Sequence, residues 1–395
     1  EDERKEGDVR GPSFGPDAMT TYVDDDVLGV KNKATSKELE KERDIPRTEV
    51  NLRDEPSRVV GVKTTIYTYS EEQLGLLGAR KGETISVIVW NQRGMLETWV
   101  GVWKEKGRKI LNYAPTPLPP GTVVKVDKDL PLGEYVDEAR HHLGIIRFAI
   151  EWTRGFDLSY VGMLLAAYFC HWSKDADDFL IRLVSYVEKT LPLSEYAIVS
   201  SRELRDGLDM IVSSDASHAG HKDQKGHSFF EVEFSSEVTR VHVAAIGKTH
   251  TAQGVSTAEE EKFGALRATL KAIPAADAFE ACTTLASERR ASKPTNQNST
   301  AATGGAVAGL TSKLNREVLR LDAAATIQQI LNGSSDTMQR HALIRSNWLH
   351  EYWREKGRFV EHKRGESFTP DLGTKAVSIE RFRLLMRLTP LIMEE

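Results

Sequence analysis

Four acidic residues stand in local contexts that suit metal chemistry. Asp215 lies in Ser213-Ser214-Asp215-Ala216, Glu261 in Ser256-Thr257-Ala258-Glu259-Glu260-Glu261, Asp322 in Leu319-Arg320-Leu321-Asp322, and Asp371 in Thr369-Pro370-Asp371-Leu372-Gly373-Thr374-Lys375. Hard divalent cations take oxygen ligands and keep several waters, so a centre for two of them needs several convergent carboxylates. Each acid has a commoner use when taken singly. Asp215 could form a turn, Glu261 could offset a helix dipole beside Glu259 and Glu260, and Asp322 and Asp371 could cap helices. Together they make a ligand set for in-line displacement at a phosphodiester, one Mg²⁺ acidifying the water and the other stabilising the leaving oxygen. Mn²⁺ would substitute. Glu261 is preferred because Gly264 and Ala265 follow it with the small side chains of a buried helix face; Glu260 is the alternative.

Such residues need strands and helices to hold them. Strand-like runs occupy 210–214, 228–234, 240–246, 318–321 and 359–362, the third alternating as a half-buried strand should. Helical spacing marks 258–272, a second stretch from 275 towards 285, then 324–331, 341–356 and about 379–387. Residues 292–309 are rich in Ser, Thr, Asn, Ala and Gly and form a low-complexity insertion. Upstream, 134–191 carries apolar residues at helical spacing, and 115–121 is a Pro-rich linker. Short strands at 19–23 and 27–30 flank Asp24-Asp25-Asp26 as a hairpin, 33–43 is a charged helical stretch, and 58–69 is a strand.

The chain has 395 residues with 40% hydrophobic content, enough for two or three domains. A net charge of −5 provides no global basic field, so phosphates would have to meet a local basic face. Arg340 and Arg345 are the candidates for such contacts, with His341 beside them. Trp348 and Tyr352, interleaved with the basic residues, fit the core better. Cys170 and Cys282 have no CxxC spacing, which argues against a disulfide framework or structural zinc and fits a reducing compartment. His218, His221 and His227 are expected in an exposed loop. The most apolar run, 161–170, is too short to span a bilayer, and no membrane partner is expected. The charged opening from Glu1, without a signal peptide, has the character of a piece of a longer polypeptide.

Tyr22-Val23-Asp24-Asp25 resembles the reverse-transcriptase hairpin motif, and Val59-Val60-Gly61-Val62 the strand that follows it. Pro115-Thr116-Pro117-Leu118 is similar to a family linker. Trp152-Thr153-Arg154 through Asp157-Leu158-Ser159-Tyr160 is similar to the Thr-Arg-Pro-Asp segment of copia-type retrotransposon polyproteins, with Gly155-Phe156 where proline is usual. The contexts of Asp215, Glu261 and Asp371 resemble the ribonuclease H signatures of the same polyproteins, in the same order.

The resemblance implies an α/β fold: a ribonuclease H-like mixed five-stranded sheet flanked by helices, behind a truncated palm and thumb remnant and a helical connection. Its implied domains are a palm remnant at 1–70, a thumb-like segment with the linker at 71–129, the connection at 130–205, and the ribonuclease H-like domain at 206–391. It further implies metal-dependent cleavage of RNA in RNA–DNA hybrids by Asp215, Glu261, Asp322 and Asp371. His362 would support proton transfer or product release. Tyr22, Asp24 and Asp25 would be a polymerase remnant unable to extend primers alone, since nothing upstream supplies its third carboxylate. The implied partners are the hybrid and the rest of the polyprotein, and the implied location is a cytoplasmic virus-like particle or the nucleus. A catalytically lapsed retroelement relic is the alternative.

Overall fold

The computed structural model describes residues 19–21, 26–28, 57–59, 62–68, 83–123, 126–127, 129–217, 226–250, 254, 256–291, 314–333 and 340–393. The chain divides into two compact units, Glu1–Ile66 and Tyr67–Glu395. In the first, β1 (Met19–Thr21) pairs antiparallel with β2 (Asp26–Leu28), Met19 facing Leu28. β3 (Ser57–Val59) pairs antiparallel with β4 (Val62–Thr68). Tyr22, Asp24 and Asp25, the stretch 33–43 and the insertion at 292–309 lie outside the described residues.

The second unit opens with β5 (Ile85–Asn91) and α1 (Arg93–Glu105). Leu96, Trp99, Val100 and Trp103 recur at helical spacing on α1, and all four are buried. The helical stretch expected over 134–191 is three helices: α2 (Ala139–Trp152), α3 (Gly155–Ala167) and α4 (Lys174–Lys189). Helix α3 is buried on every side from Gly155 to Leu165, as an all-round apolar helix must be. Helix α4 is amphipathic, with acids in its first turn and Lys189 in its last, both favourable for the helix dipole.

A buried ion pair locks the junction of α2 and α3 onto α4. Arg154 and Asp157 have fully buried side chains, with Arg154 Nη2 2.5 Å from Asp157 Oδ2. The Tyr186 hydroxyl donates to the same carboxylate at 3.1 Å, and Arg154 Nη2 donates to Thr190 Oγ1 at 2.9 Å. The Pro-rich stretch expected as a linker is packed instead. Ala114, Thr116 and Leu118 are buried, and Arg182 on α4 donates to the Thr116 carbonyl, which leaves no free spacer there.

The remaining strands are β6 (Leu193–Ser200), β7 (Leu208–Ser217), β8 (His227–Ser235), β9 (Arg240–Thr249), β10 (Leu314–Leu321), β11 (Arg358–His362) and β12 (Leu391–Met393). Within the second unit the sheet runs β11-β10-β7-β8-β9-β6-β5, with β12 also beside β6. The pairs β7–β8 and β8–β9 are antiparallel, whereas β10 lies parallel to both β7 and β11, so the sheet is mixed.

Helices cover both faces of this sheet. One core joins Phe229 and Leu372 to residues of α1–α4. The other joins Val212, Phe230, Val232 and Leu319 to α5 (Thr257–Ala291), α6 (Ala324–Asn332) and α7 (Arg340–Trp353). This is why β8 shows imperfect alternation: Phe229 and Phe230 point to opposite cores and both are buried. After a short helical turn, Asp371–Thr374, the chain ends its helical part in α8 (Ile379–Met386).

Two helical stretches expected from 258 to about 285 are one helix, α5, with Pro274 inside it. Proline there removes the hydrogen bond to the Leu270 carbonyl. Leu270 is 51% exposed, so water can take over on that face. No helix among the described residues is long and apolar enough to cross a membrane.

Candidate metal centre

Strand register brings the first two acids together. Ser213 on β7 faces Arg320 on the parallel β10, so two residues further along Asp215 and Asp322 stand side by side at the same sheet edge. The turn Asp371–Thr374 lies over β8, where the Thr374 carbonyl accepts from His227 Nε2 at 2.7 Å. Such an approach requires Gly373: a Cβ there would stand 2.0 Å from Phe229 Cδ2, and Phe229 is the cross-strand partner of Asp215. One carboxylate oxygen from each of Asp215, Asp322 and Asp371 lies within 4.8 Å of the others.

Glu261 comes from α5, which packs against β7 through Gly264. A Cβ on Gly264 would meet Ser214 Oγ at 2.8 Å and Ser228 Cβ at 3.2 Å, so the helix packs closely on the sheet here. One turn earlier, the Glu261 carboxylate feels the charges of Asp215 and Asp322 and accepts the Ala216 N–H. Its Oε2 is buried without a hydrogen-bond partner. Glu260 is turned elsewhere, bonding His250 and accepting the Gly254 N–H at 2.6 Å.

The electrostatics follow from crowding acids out of water. Burial, opposed by Lys375 and reinforced by Asp371, pushes Asp215 up to about 7. Burial together with Asp215 and Asp322 pushes Glu261 up to about 9. Asp322 is raised too, by burial first. Several cations and donors answer this repulsion. Lys375 Nζ lies 2.5 Å from Asp371 Oδ1 and 3.4 Å from Asp215 Oδ2, Arg381 pairs with Asp371 Oδ2, and the Thr374 hydroxyl donates to Asp215. Burial disfavours the Lys375 ammonium, but Asp215 and Asp371 outweigh it and raise its pKa.

An all-oxygen donor set with an orphaned buried carboxylate oxygen fits hard cations such as Mg²⁺ or Mn²⁺. His362, at the end of β11, donates from Nε2 to the Asp322 carbonyl at 3.0 Å and is exposed, which puts it beside the acids. The basic candidates are placed differently. Arg340 and His341 open α7, but their side chains lie outside the described residues. Arg345 lays its guanidinium over the Phe263 ring at 4.2 Å, with Nη1 buried and unpartnered, so a phosphate contact would require drawing it off the ring.

His227 corrects the expectation of an exposed loop. It starts β8 and is buried, because it bridges Ser217 and the Thr374 carbonyl under the acidic turn. His218 and His221 lie outside the described residues. Sequence reasoning also missed Lys375, Arg381 and Gly373. Lys375 had a signal in its place four residues after Asp371; the roles of the other two depend on tertiary approach.

No family model matches the chain, and no curated protein matches it. A solved structure to which it is similar is RNase H1 from the halophilic archaeon Halobacterium salinarum NRC-1, at 12% identity and a TM-score of 0.25. The similarity covers 41% of this chain and 90% of that one. A superposition that slight carries no weight for fold or function.

Proposed function

We propose that residues 206–391 form a ribonuclease H-like domain that cleaves RNA in RNA–DNA hybrids, within a copia-type retroelement polyprotein. The observation that supports it most is the meeting of Asp215, Asp322 and Asp371, with the buried Glu261 near enough to feel the charges of Asp215 and Asp322. Residues 130–205 would be its helical connection, and 1–129, with Tyr22, Asp24 and Asp25, reverse-transcriptase-derived sequence. Divalent ions held by the four acids would supply Lewis acidity to the attacking water and the leaving oxygen.

The chain's own residues do the rest. Asp215 stands within reach of Asp322 and Asp371, and the Thr374 hydroxyl donates to it and orients its carboxylate. Arg381, held also to the Gly365 carbonyl, keeps Asp371 in place. His362 stands at the exposed side of Asp322, where it could carry a proton to or from solvent. Arg340 and His341 would meet the phosphates of the hybrid, and contacts to the 2′-hydroxyl would select RNA.

The test is Mg²⁺-dependent cleavage of a labelled hybrid by the whole chain and by its Asp215→Asn variant. Cleavage by the first, lost with chelator and absent in the second, supports the reading. Equal cleavage by both sinks it. The second reading is a lapsed relic, and one observation favours it: Lys375 and Arg381 already neutralise part of the acidic cluster. A well-folded protein that binds hybrid but never cleaves it would select that reading.

A further inference from the structure

The ammonium of Lys375 occupies the position from which a cation would see the acids. It contacts Asp371 Oδ1 at 2.5 Å and reaches Asp215 Oδ2 at 3.4 Å, two of the three carboxylates that converge. Its side chain is 48% exposed, whereas those of Asp215 and Asp371 are 2% and 6% exposed. The acids are therefore fixed in the protein and the ammonium stands at the mouth.

Arg381 is held differently. It pairs with the other oxygen of Asp371 while donating to the Gly365 carbonyl at 2.5 Å, so its guanidinium is tied to backbone as well as to the carboxylate. A guanidinium in such a fork keeps its geometry, while a lysine is a point charge on a flexible four-carbon stem. Of the two cations, only Lys375 can leave without releasing Asp371 from its place.

Resting on the reading of this cluster as a metal centre, we propose that Lys375 is a built-in counter-cation, seated among the acids when ions are absent and expelled into solvent when a divalent cation loads. The exchange has a physical basis on both sides. Without a cation, buried carboxylates this close would repel one another, and an unpaired buried charge is strongly destabilising. With a divalent ion bound, the ammonium would be a like charge within a few ångströms and would move off. Its half-exposed stem gives it somewhere to go. Lys375 thus holds the acids in their binding arrangement before loading, at the cost of competing with the ion for them.

Two measurements on the full chain test this. The first is calorimetric titration of Mg²⁺, with Mn²⁺ as a second probe, into the wild type, Lys375→Met and Lys375→Arg. Removing the competing charge should tighten the first ion on the order of tenfold in Lys375→Met, a Coulomb effect discounted for exposure. Lys375→Arg keeps the charge and should bind no tighter than wild type. The second needs no variant: the rate at which an amine-reactive acylating reagent labels Lys375, read by peptide mass spectrometry against the exposed Lys174. Mg²⁺ should raise Lys375 labelling several-fold and leave Lys174 unchanged.

Equal or weaker Mg²⁺ binding by a folded Lys375→Met protein would overturn the displacement. So would Lys375 labelling that ignores Mg²⁺ in a wild type that binds it. Failure of the wild type to bind either ion is a separate result: it would remove the metal centre itself and this inference along with it.

Discussion

Gly373→Ala adds one methyl group at the place where the acidic turn approaches the sheet. The new Cβ would stand 2.0, 2.1 and 2.6 Å from Cδ2, Cγ and Cβ of Phe229. Carbon atoms in contact prefer about 3.5–4.0 Å, so turn and ring must part by roughly 1.5 Å. Phe229 cannot yield, being fully buried on a strand paired on both sides, with Phe156 packed against its ring. The turn must therefore lift, and it takes Asp371 away from Asp215. Misplacing a reacting group by about 1 Å can cost on the order of 100-fold in rate, so hybrid cleavage should fall at least that far. Overpacking of this kind costs about 1–3 kcal/mol of stability. Urea denaturation and a labelled-hybrid assay measure the two effects. Gly101→Ala is the control: a Cβ there meets nothing within 4 Å, and alanine inside α1 should stabilise by about 0.5–1 kcal/mol. Cleavage within threefold of wild type, with an unchanged denaturation midpoint, would refute the claim that glycine sets the approach.

Asp157→Asn keeps the shape of the buried pair but strands the Arg154 guanidinium, and should cost about 3–5 kcal/mol in urea denaturation. A loss under about 1 kcal/mol would show that the network is dispensable. Thr374→Val removes the hydroxyl that orients Asp215, and a lost hydrogen bond to a charged group, about 1.5–3 kcal/mol, should slow cleavage on the order of tenfold or more with little change in KM. A change confined to KM would place Thr374 in substrate binding instead. The pH dependence follows from Glu261, raised from 4.5 to about 9, and Asp215, raised from 3.8 to about 7. Between the ordinary and the raised values the folded protein holds protons that the unfolded chain has released, so ion-free stability falls as pH rises. His142, held down to about 4 by burial, works the other way below 6.5, so the comparison belongs between pH 6.5 and 9. There the ion-free wild type should lose stability with rising pH more steeply than Glu261→Gln, and Mg²⁺ should raise its melting temperature more at pH 9 than at 6.5, since ligands must deprotonate to bind. Equal slopes in both proteins would remove Glu261 from the titration.

Much of the sheet is legible in the residues because strand runs such as 240–246 carry a period of two, and α6 and α7 carry helical spacing next to them. The level position of Asp215 and Asp322 is legible too once β7 and β10 are taken as parallel, since Asp215 lies near the end of β7 and Asp322 directly follows β10. What the residues do not reveal are approaches between distant segments. Gly373 is an ordinary glycine until Phe229 is placed beneath it, and His227 is a loop residue until the Thr374 carbonyl covers it. The two stretches from 258 to about 285 join because Pro274 sits within α5, where the exposed Leu270 marks a face open to water. The Pro-rich stretch misled through composition, because prolines suited to a spacer also suit a segment packed against α4.

A three-residue strand completes a core whose helices lie far upstream. β12 pairs with β6 through Leu391–Glu195, Ile392–Ser194 and Met393–Leu193, and Leu391 enters the core built by α1–α4. Partners separated by so much chain close an expensive loop, and contacts of that span form late in folding. During synthesis the helices of that core would emerge with one groove unfilled, waiting for residues made after the acidic turn itself. Asp371 and Lys375 lie between the two halves of this closure. A nascent chain paused before residue 391 would therefore hold all four acids while still lacking the strand that completes the upstream core.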